Sequence, residues 1–137
     1  MKMKEDKLLI VTVDDSGVIL MTLDKILSEQ GFEVKGFSKG IRALKYLKTN
    51  VPDLIILDID MPEINGFEML KMIKEKEELE HVPVIFLTSN RGQGDVVNAV
   101  KGGARDYIIK PIKEDVLVEK VNKILSVEKD KLSWDDI

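Results

Sequence analysis

The sequence predicts an α/β fold, a doubly wound three-layer sandwich whose five-stranded parallel sheet is built from five β-α repeats. Short apolar runs alternate along the chain with stripes of apolar residues at helical spacing. One of these runs, residues 54–57, is apolar throughout, which is typical of a strand that has helices on both faces of its sheet. Because βαβ crossovers are right-handed, the doubly wound arrangement is the simplest one for this order.

Each predicted strand is a short apolar run. The five runs are residues 8–13, 34–37, 54–57, 84–87 and 107–109. Helices are predicted over residues 18–30 and 117–125, where apolar residues recur every three or four positions. The other helical stripes are Ile41, Leu44 and Leu47; Phe67, Leu70 and Ile73; and Val96, Ala99 and Val100. Asp15 or Ser16 can cap the first helix, and Gly31 suits the position that follows it.

The composition describes one ordinary globular domain. A chain of 137 residues fits a single domain and can bury a core without staples. The absence of cysteine excludes disulfides, thiolate metal sites and a cysteine nucleophile. A net charge of −4, with both signs spread along the chain, and few aromatic residues argue against a nucleic-acid surface. No apolar run is long enough for a signal peptide or a membrane helix, so a cytoplasmic protein is expected.

Polar residues follow four of the predicted strands, at the edge where ligands bind in sheets of this kind. These residues are Asp14 and Asp15 after the first strand, Asp58 after the third, Thr88 after the fourth and Lys110 after the fifth. Carboxylates brought together raise one another's pKa, and a hard divalent cation such as Mg²⁺ relieves that cost. The three aspartates are therefore candidate metal ligands. Asp58 can also act as a nucleophile that forms an aspartyl-phosphate, with Thr88 and Lys110 on the phosphoryl oxygens.

Four segments together resemble the receiver domain family of two-component response regulators. They are VDDS at residues 13–16, LDIDMP at 57–62 with Gly66, LTS at 87–89, and GA at 103–104 with DYIIKP at 106–111. Each segment alone is common, but all four in this order and at these spacings are specific. The resemblance covers residues 6–126 and implies a flavodoxin-like receiver fold there. Residues 127–137 are expected to form a polar C-terminal tail, with no output domain.

The resemblance implies a role for each acidic position. Asp58 would be the phosphoacceptor, phosphorylated by a histidine kinase or a phosphotransfer protein. Asp14, Asp15 and Asp58 would hold Mg²⁺ together with the backbone carbonyl of Asp60. The domain would then catalyse only its own Mg²⁺-dependent phosphorylation and dephosphorylation, and would act as a conformational signalling switch and not as an ordinary enzyme.

The resemblance also implies how the switch works. Thr88 and Lys110 would bind the phosphoryl group, and Tyr107 would turn inward as Thr88 moves toward it. Asp60 and Asn90 flank the route of an attacking water, so both are expected to tune the lifetime of the phosphoryl group.

Two further features of the family concern the chain beyond the acidic site. The bond between Lys110 and Pro111 is expected to be cis. A downstream protein target would bind the face formed by helix 4, strand 5 and helix 5 of the predicted fold, roughly residues 95–125.

Two other interpretations stay open at this point. Asp58 and Asp60 after an apolar strand also resemble the first motif of haloacid-dehalogenase-like phosphatases, in which the second Asp is a general acid/base. In those enzymes the nucleophile usually lies on the first strand and the acidic metal pair comes later, the reverse of the order here. The other interpretation is a degenerate receiver that acts as an unphosphorylated interaction module. The complete set of acceptor, acids, Thr and Lys argues against it.

Overall fold

A computed structural model describes residues 7–89 and 102–135 of the chain, with side chains described up to residue 126. Its five strands are β1 (Leu9–Val13), β2 (Glu33–Phe37), β3 (Leu54–Asp58), β4 (Val84–Thr88) and β5 (Asp106–Ile109). The described helices are α1 (Gly17–Glu29), α2 (Gly40–Leu47), α3 (Gly66–Lys74) and α4 (Glu114–Asp135). All strand pairs are parallel, in the order β2-β1-β3-β4-β5. The predicted α/β sandwich is therefore confirmed.

Two apolar layers cover opposite faces of the sheet. Alternate residues of β1 divide between them: Val11 and Val13 pack in the layer under α2 and α3, and Ile10 packs in the layer under α1 and α4. Every residue of β3 and β4 is buried, as expected for strands with helices on both faces. The carboxyl ends of these central strands therefore meet inside the molecule at one edge of the sheet.

Two helices begin with side-chain caps close to that edge. Of the two candidates for the start of α1, Ser16 is the cap, since its hydroxyl accepts the N–H of Ile19 at 3.3 Å. Gly31 follows the end of α1 with a φ of 95°, as the sequence predicts. At the start of α3, Asn65 and Glu68 each accept the other's backbone N–H, at 2.9 and 3.0 Å. These caps fix both helices next to the strand ends.

Helix α2 departs from its predicted stripe only at Ile41, since Leu47 is buried and Leu44 packs against the core. Its buried residues are Gly40, Ala43 and Leu47, whereas Ile41 is 56% exposed. Gly40 lies close to the side chains of Ile64 and Met69, and Ala43 is fully buried in the core layer, so Ile41 lies on the opposite, solvent-facing side of the helix.

The last helix is longer than the sequence predicts. Helix α4 continues to Asp135, past residue 126 where the receiver domain was expected to end. The division into a domain and a polar tail stays a prediction, as does the cytoplasmic location. Within the described residues, no helix combines the length and apolar character that crossing a membrane requires. The helix predicted around Val96 lies outside the described residues.

Gly66 lets α3 begin directly against the end of β3. A Cβ atom at this position would lie 2.6 Å from the carbonyl oxygen of Asp58 and 2.8 Å from Cα of Ile59. The Gly66 N–H donates to the Ile59 carbonyl at 2.9 Å, which holds the helix in this position. A side chain larger than hydrogen would push α3 away from the acidic edge.

We predict that Gly66→Ala lowers the free energy of unfolding by about 1–3 kcal/mol, because contacts with backbone atoms cannot be relieved by a rotamer change. Gly17→Ala is the matched control, since a Cβ there meets no atom within 4 Å. Alanine at that helical position should be neutral or stabilising by up to about 1 kcal/mol. Urea denaturation of both variants measures the difference, and equal stabilities would show that the close approach is unimportant.

Candidate functional site

The carboxyl edge of the sheet collects three carboxylates. Asp14 follows β1 and Asp58 ends β3, and the pairing of Val13 with Leu57 places the two acids side by side. Both are at most 1% exposed, whereas Asp15 is exposed. One carboxylate oxygen from each of the three lies within 4.8 Å of the others. The structure therefore brings together the three acids that the sequence singles out.

The ammonium group of Lys110 lies between the two buried carboxylates. Its Nζ is 2.9 Å from Oδ2 of Asp14 and 3.4 Å from Oδ1 of Asp58. The Lys110 N–H donates to the Thr88 carbonyl at 2.7 Å, and the following bond to Pro111 is cis, as the resemblance predicts. One positive charge thus faces two buried negative charges.

Backbone N–H groups hold one oxygen of each buried carboxylate. Ser16 donates to Oδ1 of Asp14 at 2.9 Å, and Asp60 donates to Oδ1 of Asp58 at 3.2 Å. The remaining oxygen of Asp14 has no hydrogen bond of good geometry within the described part of the chain, although the Lys110 ammonium is close. That contact is an ion pair, and because a carboxylate oxygen can accept two hydrogen bonds, Oδ2 keeps an unused acceptor direction.

The titration of the site follows from burial first and from these charges second. Burial raises the pKa of Asp58 to about 6, and the Asp14 carboxylate adds to the rise. The Lys110 ammonium and the Asp60 N–H act in the opposite direction without cancelling it. Burial alone would lower the pKa of Lys110, but the two carboxylates outweigh it and raise that pKa. Lys110 is therefore held as a cation, while the carboxylate pair keeps an excess of negative charge.

This excess suits a metal ion. The three aspartates offer oxygen ligands only, and a buried oxygen of Asp14 has an unused acceptor direction. Hard divalent cations prefer such ligands, and they need few protein groups because water completes their coordination. The acidic cluster can hold an ion of this kind.

The other predicted site residues lie at different distances from the cluster. Thr88 is buried at the end of β4 and pairs in the sheet with Ile109, next to Lys110. Asp60 is exposed, and its carbonyl role stays a prediction. Tyr107 lies lower on β5, opposite Phe86, and is half-buried outside the acid cluster. Asn90 falls outside the described residues.

One ion pair near Tyr107 is not predicted by the sequence. The Lys120 ammonium lies 2.8 Å from Oδ1 of Asp106 and 5.3 Å from the centroid of the Tyr107 ring. A strand residue and a helix residue separated by 14 positions have no local pattern that predicts their contact. Lys120 is thus already paired within the chain.

Known proteins resemble this chain along most of its length. The family model described as the response regulator receiver domain matches residues 10–122. The polar-differentiation response regulator DivK of Brucella ovis is 33% identical over 116 residues, which cover 85% of this chain and 94% of that protein. A second relative, the transcriptional regulatory protein AfsQ1 of Streptomyces coelicolor, is 34% identical over 116 residues, but these cover 50% of that protein.

Solved structures show the same likeness. The signal receiver domain of a signal transduction histidine kinase from Syntrophus aciditrophicus is 37% identical, with a TM-score of 0.79 over 86% of this chain and 89% of that chain. The receiver domain of sensor histidine kinase PA1611 from Pseudomonas aeruginosa PAO1 is 28% identical, with a TM-score of 0.81 over 88% and 98%. In that protein a magnesium ion is coordinated in the active site cleft.

The raised pKa of Asp58 predicts a pH dependence of stability. The folded protein holds the Asp58 proton more tightly than the unfolded chain does, so this stabilisation is full below the ordinary pKa of 3.8 and is lost as the pH rises through about 6. Without metal, we expect the free energy of unfolding to fall relative to Asp58→Asn over this interval, by about 2–3 kcal/mol. Denaturant titrations at several pH values measure the difference, in which carboxylates remote from Asp58 cancel. A difference that stays constant with pH would contradict the raised pKa.

Proposed function

Because the chain belongs to the response regulator receiver domain family, we propose that its acidic site is a phosphorylation switch in which Asp58 accepts the phosphoryl group. The observation that carries this proposal is the placement of the Lys110 ammonium against the two buried carboxylates, 2.9 Å from Asp14 and 3.4 Å from Asp58. Receiver domains are regulatory domains that interact with histidine kinases or phosphotransfer proteins and with downstream targets. The particular kinase and target are set by surfaces outside this site.

The contacts of Asp58 favour one of its oxygens as the nucleophile. Oδ1 accepts the Asp60 N–H and faces Lys110, so the attack is assigned to Oδ2. Oδ2 forms a bond to phosphorus as the phosphorus–nitrogen bond of a donor phosphohistidine breaks, and the leaving nitrogen keeps that electron pair. Lys110 neutralises part of the charge on the transferred group, and the Thr88 hydroxyl donates to one of its oxygens.

Mg²⁺ is the ion proposed for the acidic cluster. Asp14, Asp15 and Asp58 would hold it with the backbone carbonyl of Asp60, and the all-oxygen set favours a hard cation over zinc. When bound, Mg²⁺ would supply the positive charge that neutralises the phosphoryl oxygens. The domain would then promote only its own phosphorylation and dephosphorylation. Asp60 and Asn90 remain the positions predicted to tune the second reaction.

The conformational response is proposed to pass from Thr88 to Tyr107 on the neighbouring strand. The Tyr107 ring is half-buried, so it can move further into the core or out toward solvent. Phosphorylation would bias an equilibrium between these arrangements. The downstream target would bind on the face that includes β5 and α4, where a groove of about 290 Å³ is lined by Tyr107, Ile109, Pro111 and Val116, among others.

The phosphodonor is proposed to approach over the start of α1. Val18 and Met21 are 73% and 74% exposed, and α1 begins two residues after Asp15. Large apolar side chains in solvent beside an acidic site suit a protein partner that covers them. A kinase or phosphotransfer protein docked there would bring its phosphoryl group to the carboxyl edge of the sheet, where Asp58 ends β3.

We predict that acetyl phosphate with Mg²⁺ adds one phosphoryl group to the wild-type protein, because Asp58 is the acceptor. Intact mass spectrometry should show the adduct in wild type and in Asp60→Asn, and should show none in Asp58→Asn. The Asp60 variant is the matched control, since it removes a more exposed carboxylate only two residues away. Omission of Mg²⁺ should reduce the adduct strongly.

Other outcomes would point to the alternatives. A folded protein that forms no adduct and binds no Mg²⁺ would be a degenerate receiver that acts by contact alone. Continuous release of phosphate from unrelated monoesters would favour the phosphatase interpretation. An adduct that persists in Asp58→Asn would move the acceptor to another residue.

A further inference from the structure

The segment of residues 33–50, which forms β2, the following loop and α2, concentrates positive charge. It contains one acid, Glu33, and five cations: Lys35, Lys39, Arg42, Lys45 and Lys48. Its net charge is +4, whereas the remainder of the chain carries −8. All five cations are exposed, and within the described residues none of them lies within 4 Å of a carboxylate. Although the protein is acidic overall, α2 and the edge strand β2 thus carry a basic surface whose charges are not paired within the described part of the chain.

An apolar groove lies among these cations. The rings of Phe37 and Tyr46 pack with their centroids 5.2 Å apart, and Ile41 is 56% exposed beside them. The groove measures about 870 Å³, and Arg42 and Lys45 are among the residues that line it. Ile41 lies on the face of α2 that is turned away from the buried residues Gly40, Ala43 and Leu47. The surface therefore offers both cations and apolar contact area.

We propose that this basic α2 patch, defined as Lys35, Lys39, Arg42, Lys45 and Lys48 around Ile41 and Tyr46, docks an acidic peptide segment of a partner protein that also carries apolar side chains. Carboxylates of the segment pair with the cations, and an apolar side chain fills the groove at Ile41. Such charge complementarity speeds encounter and fixes orientation. A nucleic acid is less suited, because the rest of the chain, at −8, repels a long polyanion. A membrane surface is also less suited, because a flat bilayer would not fill the concave groove.

The patch is separate from the proposed phosphodonor surface. Helix α2 packs in one apolar layer and α1 in the other, on opposite faces of the sheet. An occupant of the patch therefore leaves Val18 and Met21 uncovered for a phosphodonor. The acidic peptide segment can thus stay bound to the patch while Asp58 is phosphorylated.

The test measures binding of a fluorophore-labelled synthetic peptide of alternating glutamate and leucine to the full chain, by anisotropy. The double variant Arg42→Glu/Lys45→Glu should weaken binding by about tenfold or more, and added salt should weaken binding to wild type. The matched control is Lys25→Glu/Lys123→Glu, which makes the same change in net charge at exposed positions of α1 and α4. The control should bind the peptide almost as wild type does, and circular dichroism checks that every variant is folded.

A second variant separates docking in the groove from simple charge attraction. Ile41→Ser keeps every charge and should weaken the glutamate–leucine peptide severalfold while leaving polyglutamate unaffected. Asp58→Asn should bind the peptide like wild type, so a failure of the phosphorylation proposal would not affect this result. Equal losses in the control double variant, or tighter binding of a single-stranded oligonucleotide or of anionic phospholipid vesicles, would overturn the proposal. So would a patch-dependent change in the oligomeric state of the protein, because a second copy would then be the occupant.

Discussion

The contact of the Lys110 ammonium with the buried carboxylate of Asp14, at 2.9 Å, is the interaction on which the site depends. A buried carboxylate without a cation would be very costly, and Lys110 makes the burial of Asp14 possible. The same ammonium reaches Asp58 at 3.4 Å, so it has to serve two negative charges. Burial, together with the charge of Asp14, raises the pKa of Asp58, and one oxygen of Asp14 keeps an unused acceptor direction. Both consequences suit a site that gains a cation and a phosphoryl group.

The fold imposes this crowding. In a parallel sheet the ends of β1 and β3 are neighbours, so the acids that follow them have to lie together. Close packing keeps them there, since Gly66 brings α3 against the carbonyl of Asp58. The core around the acidic site is tightly packed. We therefore expect a change of charge at the site to shift the domain between discrete conformations and not to cause a gradual relaxation. Tyr107 is half-buried on β5, and its part in such a shift stays a prediction.

The sequence predicted the sheet and the acidic cluster well, because both depend on patterns along the chain. The apolar run at residues 54–57 corresponds to Leu54–Asp58, since a strand buried on both faces excludes polar residues until it ends. The sequence could not predict which face of α2 is buried. Ile41 and Ala43 are both apolar, and only packing against the rest of the domain decides which of them is buried. The contact of Lys120 with Asp106 depends on how α4 lies across β5. Lys110 was expected near the phosphoryl oxygens, but its closer contact with Asp14 follows from side-chain geometry that spacing does not define.

The most direct test of the charge imbalance is a calorimetric titration of the protein with Mg²⁺. An excess of negative charge at the site predicts one ion per chain. It also predicts weaker binding, by about tenfold or more, when Asp14→Asn removes a charge. Lys110→Ala should do the reverse and bind Mg²⁺ more tightly, because the competing ammonium is gone. Equal affinities in wild type and both variants, or no binding to the folded wild-type protein, would contradict a site organised by unbalanced carboxylates.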